Sequence, residues 1–256
     1  MNSFYSRRAG CSVRWQDLPG SGDPVVFIHG LGCASSYEYP RVVCDPNFGA
    51  RRAILIDLPG SGYSDKPEHY SYKTGDQARV VAELLDNIGV KTFWLYGHSM
   101  GGSIAIETAI LMQARLNGLI VSEPNFHASG GMFSRSIAAQ SEPQFVEHGY
   151  AQLLAAETSA WAGSLQSNAP FAVWRGATSL VEGASPDWEA QFLSLSCPIT
   201  LIFGELSLPD KDVDSLKSKG VAVKIIPAAG HSMSWENPSA LAQTLSDCLT
   251  GKKQPA

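Results

Sequence analysis

Apolar residues in this chain follow two patterns that take turns along its length. Short, nearly unbroken apolar runs occur at 25–28, 53–56, 92–96, 118–121, 199–203 and 221–226. Each stops at a turn-forming or polar residue: His29-Gly30, Asp57-Leu58-Pro59-Gly60, Gly97, Ser122-Glu123-Pro124, Gly204 and Pro227. Runs of this length without polar alternation predict strands buried on both faces, as in a parallel sheet covered by helices. Between them, apolar residues recur every three or four positions. Val80, Val81, Leu84, Leu85 and Ile88 predict a helix over 77–88, and Ile104, Ala105, Thr108, Leu111 and Met112 one over 100–115. Leu241, Leu245 and Leu249 predict a last helix, with Asn237 as N-cap and Pro238 in its first turn. Strands alternating with helices predict an α/β fold with a doubly wound, mostly parallel sheet. Ligands of such sheets bind beyond the carboxyl ends of the strands, so chemistry is expected among the strand-ending residues.

The alternation lapses over 125–191. No central strand is visible there, and aromatic residues are frequent: Phe126, Phe133, Phe145, Trp161, Phe171, Trp174 and Trp188. The expected organisation is a core built from 1–124 and 192–256, with 125–191 inserted as a helical lid. Most of these aromatics are expected to pack the insertion against the sheet. The tail at 252–256 is expected to fray.

One motif carries chemistry. Gly97-His98-Ser99-Met100-Gly101 follows a predicted strand and opens a predicted helix. A sharp strand-to-helix turn exposes the Ser99 hydroxyl, and glycine two residues to either side admits the close approach of neighbouring chains. A serine hydroxyl is a weak nucleophile near neutral pH and needs a base within hydrogen-bond reach. Of the six histidines, His231 stands in a loop just after a strand, on the same sheet edge as Ser99. His29 and His98 belong to motifs in which backbone organisation is the expected role. His69 lies in a polar loop, while His127 and His148 fall in the insertion; a structural or solvated role is expected for each, with substrate contact the alternative for His127.

With Ser99 and His231 placed, the chain resembles the α/β-hydrolase superfamily, and within it the lid-bearing serine esterases, nearly from end to end. His29-Gly30-Leu31-Gly32 looks like the family's oxyanion loop. Asp57-Leu58-Pro59-Gly60-Ser61-Gly62-Tyr63-Ser64 looks like its Asp-x-Pro-Gly loop, and Ala229-Gly230-His231-Ser232 like its histidine loop. The resemblance implies a catalytic Ser99 and His231, supported by His29, Gly30, Gly97, His98 and Gly101. It also implies an oxyanion hole made by the backbone N–H groups of Leu31 and Met100. In many relatives the triad acid stands three residues after the glycine ending the next-to-last strand, but here that position holds Ser207. Glu123, at the end of the strand next to the nucleophile's, is the favoured acid, since some relatives place theirs there. Asp210 and Glu205 are the alternatives, and the order serine, acid, histidine suits all three. If Glu123 is not the acid, pairing with Arg135 or Arg175 is its expected role.

Composition narrows the reading. With 256 residues the chain suits one large domain or a domain with an insertion. Nineteen Lys and Arg against 24 Asp and Glu leave a net charge of -5, which argues against a nucleic-acid face. The apolar runs fall far short of the ~20 residues of a membrane span. Residues 1–10 lack the apolar core of a secretory signal, and the five cysteines are scattered without a C-x-x-C, so a reducing cytoplasm is expected and no metal or cofactor. The Pro-Gly-Ser-Gly repeats at 19–22 and 59–62 lack both the phosphate-loop and the dinucleotide fingerprint. An epoxide hydrolase or haloalkane dehalogenase of this family would carry aspartate in place of Ser99. Cleavage of a carboxylic ester in a small, mostly uncharged, hydrophobic substrate is the favoured activity. Lactone, thioester or C–C hydrolysis and perhydrolysis are the alternatives within enzymes. A triad-bearing ligand sensor with little turnover is the alternative outside them. Both a monomer and a homodimer fit the sequence.

Overall fold

All six apolar runs become neighbouring strands of one sheet in the structure, a computed structural model that describes residues 1–250. The tail expected to fray lies outside the described residues. The strands are β1 Asn2–Ser6, β2 Cys11–Leu18, β3 Ser21–Ile28, β4 Arg51–Asp57, β5 Phe93–His98, β6 Leu116–Ser122, β7 Ile199–Gly204 and β8 Ala222–Ile226. Their order across the sheet is β1-β2-β4-β3-β5-β6-β7-β8. From β4 to β8 every pair is parallel, and the register sets Ile28 beside Gly97, His98 beside Ser122 and Gly204 beside Ile226. The carboxyl ends of six strands therefore line one edge.

Helices include α1 Thr74–Asn87, α2 Met100–Leu111, α3 Met132–Ala138, α4 Pro170–Glu182, α5 Trp188–Ser194, α6 Lys211–Ser218 and α7 Pro238–Leu249, with further helical segments between α3 and α4. The helix expected over 100–115 ends at Leu111. A 3-10 turn at Gln113–Arg115 then leads into β6. At α7 the expected cap is present: the Asn237 side chain accepts from the Ala240 N–H and Pro238 occupies the first turn.

The continuous apolar runs are explained by the core. Val26, Ile28, Ile54, Ile56 and Leu95 face one apolar layer with α1 and α2, whereas Val25, Phe27, Leu55 and Tyr96 face a second with α7. Successive side chains alternate between faces, and here both faces are buried. Strands β1 and β2, absent from the sequence reading, form an antiparallel extension on β4. Within β2 only Cys11, Val13 and Trp15 are fully buried, so its pattern alternates instead of running unbroken.

Segment 125–191 contains short helices with an apolar cluster of their own, including Ile137, Phe145, Tyr150, Leu165 and Val173. Trp188 and Phe192 of α5 are buried in the layer against α2, and the Trp188 indole donates to Glu107 Oε1 at 2.7 Å. Boundary 191 thus falls inside a helix that is packed on the sheet layer. Trp174 donates to Gln140 O and Phe171 packs on Tyr72, so these aromatics serve packing.

Candidate active site

Ser99 sits between β5 and α2 with φ 54 and ψ -124, a left-handed conformation costly for any residue but glycine. Hydrogen bonds hold it there. Its N–H donates to Ser122 O at 2.9 Å, and its carbonyl accepts from Gly102 N at 2.8 Å. A Cβ on Gly97 would stand 2.2 Å from Gly101 O, and one on Gly101 would stand 2.4 Å from the carbonyl oxygens of Ile28 and His29. Any side chain at either position would force α2 away from β3 and β5, which is why the turn needs both glycines.

Glu123 follows β6 directly and also has a positive φ, 40. Its N–H donates to Ile202 O at 3.1 Å, which aims the side chain across the end of β7. There Oε1 accepts from Gly204 N at 2.9 Å and Oε2 meets His231 Nδ1 at 2.6 Å. Burial works to raise the Glu123 pKa. The hydrogen bond and charge of His231, then the Gly204 N–H and the Ser207 hydroxyl, outweigh it and hold the carboxyl below its usual value. A carboxylate can only accept, so His231 Nδ1 donates, and in the neutral ring Nε2 is left as an acceptor.

The imidazole of His231 is half-exposed and lies 4.7 Å, centroid to centroid, from the ring of His98. His98 is buried, with Nδ1 on the Ser122 hydroxyl at 2.9 Å, and Tyr96 OH meets the same hydroxyl at 2.8 Å. Burial, and then repulsion from His231, push its pKa down to about 3. His29 is uncharged for a similar reason: burial lowers its pKa against the pull of Asp57. Its Nε2 accepts from Leu58 N at 3.1 Å, so Nδ1 holds the proton and donates to Gly30 O at 2.9 Å. Both histidines thereby stitch loops at the strand ends.

The structure brings Glu123 and His231 together but closes no hydrogen bond between the Ser99 hydroxyl and His231. Neither alternative acid reaches the imidazole. Asp210 caps α6, accepting from Asp212 N at 2.8 Å and Val213 N at 3.3 Å, and Glu205 accepts from Ala228 N at 2.8 Å. The arginines offered as partners of Glu123 are engaged elsewhere. Arg175 pairs with Glu142, and Arg135 donates to Gly130 O. His127 is held among Asp187, Glu189 and Asp212. His69 contacts Ala9 O, and His148 is exposed beside Glu147.

Met100 N is the first amide of α2, without an intrahelical partner, and the helix dipole there favours negative charge. The Leu31 amide makes none of the loop's backbone hydrogen bonds, while Leu31 O is fixed by the Trp161 indole at 3.0 Å. A small cavity of about 10 Å³ adjoins these two residues, lined also by Gln77, Tyr72, Val173 and Gly176. A larger open groove of about 550 Å³ lies elsewhere, between the start of α1, the ends of α2 and α4, and α5, away from every candidate site residue. Among the described residues no group of three His, Cys, Asp or Glu side chains is arranged to hold a metal, and no helix is long and apolar enough to cross a membrane. Two contributors escaped the sequence reading. Ser207, seen there only as a missing acid, helps hold the Glu123 carboxyl below its usual value, and Gln77 was passed over as the start of a helix.

Known proteins agree with this architecture. Among curated relatives, the 2-succinyl-6-hydroxy-2,4-cyclohexadiene-1-carboxylate synthase of Enterobacter sp. (strain 638) is 28% identical over 248 residues, covering 88% of this chain and 91% of that one. Among solved structures, a thermophilic esterase from Thermogutta terrifontis matches with a TM-score of 0.79 at 21% identity, covering 98% of both chains. The N-acyl homoserine lactonase AidH matches with a TM-score of 0.72 at 19% identity, covering 100% of both. At such identities structural likeness speaks for the fold alone. Residues 25–244 match the alpha/beta hydrolase family, and with that span, the parallel sheet and the serine turn in agreement, the chain belongs to this family of hydrolases.

Proposed function

We propose that the protein is a serine hydrolase that cleaves a carboxylic ester of a small, mostly uncharged, hydrophobic substrate through an acyl-enzyme. The observation that carries this reading is the 2.6 Å contact of His231 Nδ1 with Glu123, at the strand edge where Ser99 stands half-buried on its turn. Ser99 Oγ attacks the carbonyl carbon while His231 Nε2 takes its proton, and Glu123 steadies the imidazolium that forms. The oxyanion is met by the N–H groups of Leu31 and Met100, each worth about 2.7–4 kcal/mol in a transition state of this kind. His231 then protonates the departing alcohol, and water repeats the sequence in reverse roles to release the acid. The serine–histidine hydrogen bond belongs to the substrate complex, since catalytic hydrogen bonds commonly tighten only when substrate binds.

Residues 125–191 act as the lid in this reading. Gly176 of α4 lies against both proposed oxyanion residues, where a Cβ would stand 3.1 Å from Leu31 Cδ1 and 3.2 Å from Met100 Sδ. All five cysteines are free thiols, which suits a reducing compartment such as the cytoplasm.

The test is a series of p-nitrophenyl esters of rising chain length, with fluorophosphonate labelling of wild type and Ser99→Ala. Turnover and labelling that both vanish in Ser99→Ala support the proposal. Turnover of charged acyl groups alone would remove the uncharged substrate. The small cavity beside Leu31 and Met100 favours one other reading, a ligand sensor with little turnover. Labelled Ser99 with negligible hydrolysis of every ester would support it.

A further inference from the structure

We propose that Gln77 is a specificity-determining residue whose Oε1 accepts a hydrogen bond from a hydroxyl or N–H group on a short acyl portion of the substrate. The inference rests on the serine hydrolase reading and concerns the same site. Gln77 stands in the first turns of α1, on the stripe that buries Ala78, Val80, Val81, Leu84 and Leu85, and is itself only 3% exposed. Its Nε2 donates to Pro59 O at 3.1 Å, which fixes the orientation of the amide. Turning the amide over would set two oxygens against each other. The outcome is that Oε1 is buried with no hydrogen-bond partner. A buried acceptor in this state is costly and rare unless something completes it.

The surroundings of Gln77 indicate what completes it. It lines the cavity of about 10 Å³ that also touches Leu31 and Met100, the two proposed oxyanion residues. The other polar side chains on that wall are engaged. Tyr72 OH donates to Pro67 O at 2.8 Å, Ser61 Oγ donates to Asn168 Oδ1 at 2.6 Å, and Asn168 Nδ2 donates to Ser164 O at 2.9 Å. The leaving alcohol must lie beside His231 to receive its proton, so the acyl portion runs the other way, past Leu31 and Met100 toward this cavity. A volume of this size holds no more than the terminal group of a short acyl chain, and the unmet acceptor selects a terminal group that carries a donor. An alkyl group of equal size would keep the glutamine oxygen unpaired, and a carboxylate would oppose it. Sites built to hydrogen-bond a substrate hydroxyl discriminate strongly against analogues that lack it, for this reason.

The experiment compares phenyl esters in pairs that differ by a hydroxyl in place of a methyl: glycolyl against propanoyl, and 3-hydroxypropanoyl against butanoyl. kcat/KM is read from phenol release for wild type and for Gln77→Met, which keeps the length and removes the acceptor. In wild type at least one hydroxy ester should exceed its alkyl partner by about tenfold or more. In Gln77→Met that preference should fall by about the same factor. The wild-type ratio decides even if the variant does not fold. Equal rates within both pairs overturn the assignment of Gln77 and leave the hydrolase reading standing. A uniform loss across all four esters in Gln77→Met also overturns it, because a merely structural glutamine would behave that way. No turnover of any ester, with Ser99 unlabelled by fluorophosphonate, overturns both.

Discussion

Glu123 reaches His231 from the end of β6 by a route that only its neighbours make sense of. Its backbone is bent to φ 40 and tied to Ile202, one oxygen is spent on Gly204 N, and the other faces the imidazole. Glu123→Gln should keep this shape but present the wrong group to Nδ1, so kcat on an activated ester is expected to fall by about 10³–10⁴, as when a triad aspartate is made an amide. Asp210→Asn and Glu205→Gln should stay within a few-fold of wild type, and a collapse of activity in either would reassign the acid. The same carboxyl gives a signature in stability. Because its pKa is held below the ordinary value in the folded state, its contribution is present above the usual carboxylate range and is lost as pH falls through the folded pKa. The stability gap between wild type and Glu123→Gln, followed by denaturant melts, should therefore shrink below about pH 4. Ser99 and His231 were legible because motif and strand end coincide at each, and Glu123 because it terminates an apolar run. Gln77 was not, since a polar residue opening a helix reads as solvent-facing. It shares a cavity wall with Ala172, Val173 and Gly176 of α4, far along the chain, a neighbourhood that local periodicity cannot register.

At the scale of the element, the serine turn is a packing solution before it is a chemical one. Gly97→Ala and Gly101→Ala each place a methyl within 2.4 Å of backbone oxygen, where no rotamer change relieves the clash. Both should cost several kcal/mol, read as a large drop in Tm or loss of soluble protein, consistent with severe overpacking. Gly176→Ala is the contrast. Its Cβ would meet the flexible ends of Leu31 and Met100, so Tm should hold while ester turnover falls. The helix caps make a smaller and separable prediction. Asn237→Ala and Asp210→Ala remove acceptors for the first turns of α7 and α6 and should each cost about 1 kcal/mol by denaturant melts, with kcat unchanged. Strands β3 to β8 were readable because burial on both faces leaves an unbroken apolar run. Strands β1 and β2 were not, because an extension at the sheet margin needs apolar residues only at every second position. Cys11-Ser12-Val13-Arg14-Trp15 carries that weaker signal and shows it only once the burial is known.

The molecule as a whole keeps two uncharged imidazoles at the ends of adjacent strands, and this sets its behaviour in acid. His29 ends β3 and His98 ends β5; both are buried, and burial lowers the pKa of both, for His98 to about 3. On unfolding each returns to an ordinary imidazole that binds a proton below about pH 6.5. Across that interval the unfolded chain holds more protons than the native one, so stability rises with pH and levels off above the ordinary value. Each such group contributes a slope of about 1.4 kcal/mol per pH unit once the unfolded form is fully protonated. For His98 this window runs from about 6.5 down to about 3, and Glu123 adds to the loss in its lowest part. Denaturant melts at pH 7, 6, 5 and 4 should therefore show a steep decline that begins while nearly all carboxylates are still ionised. His98→Gln should remove about one proton's worth of that slope while lowering stability at pH 7, because the Ser122 hydroxyl loses its ring partner. A wild-type profile that is flat from pH 7 to pH 5 would mean that these rings are already protonated in the fold, or reach water, and the stitched strand ends would need another account.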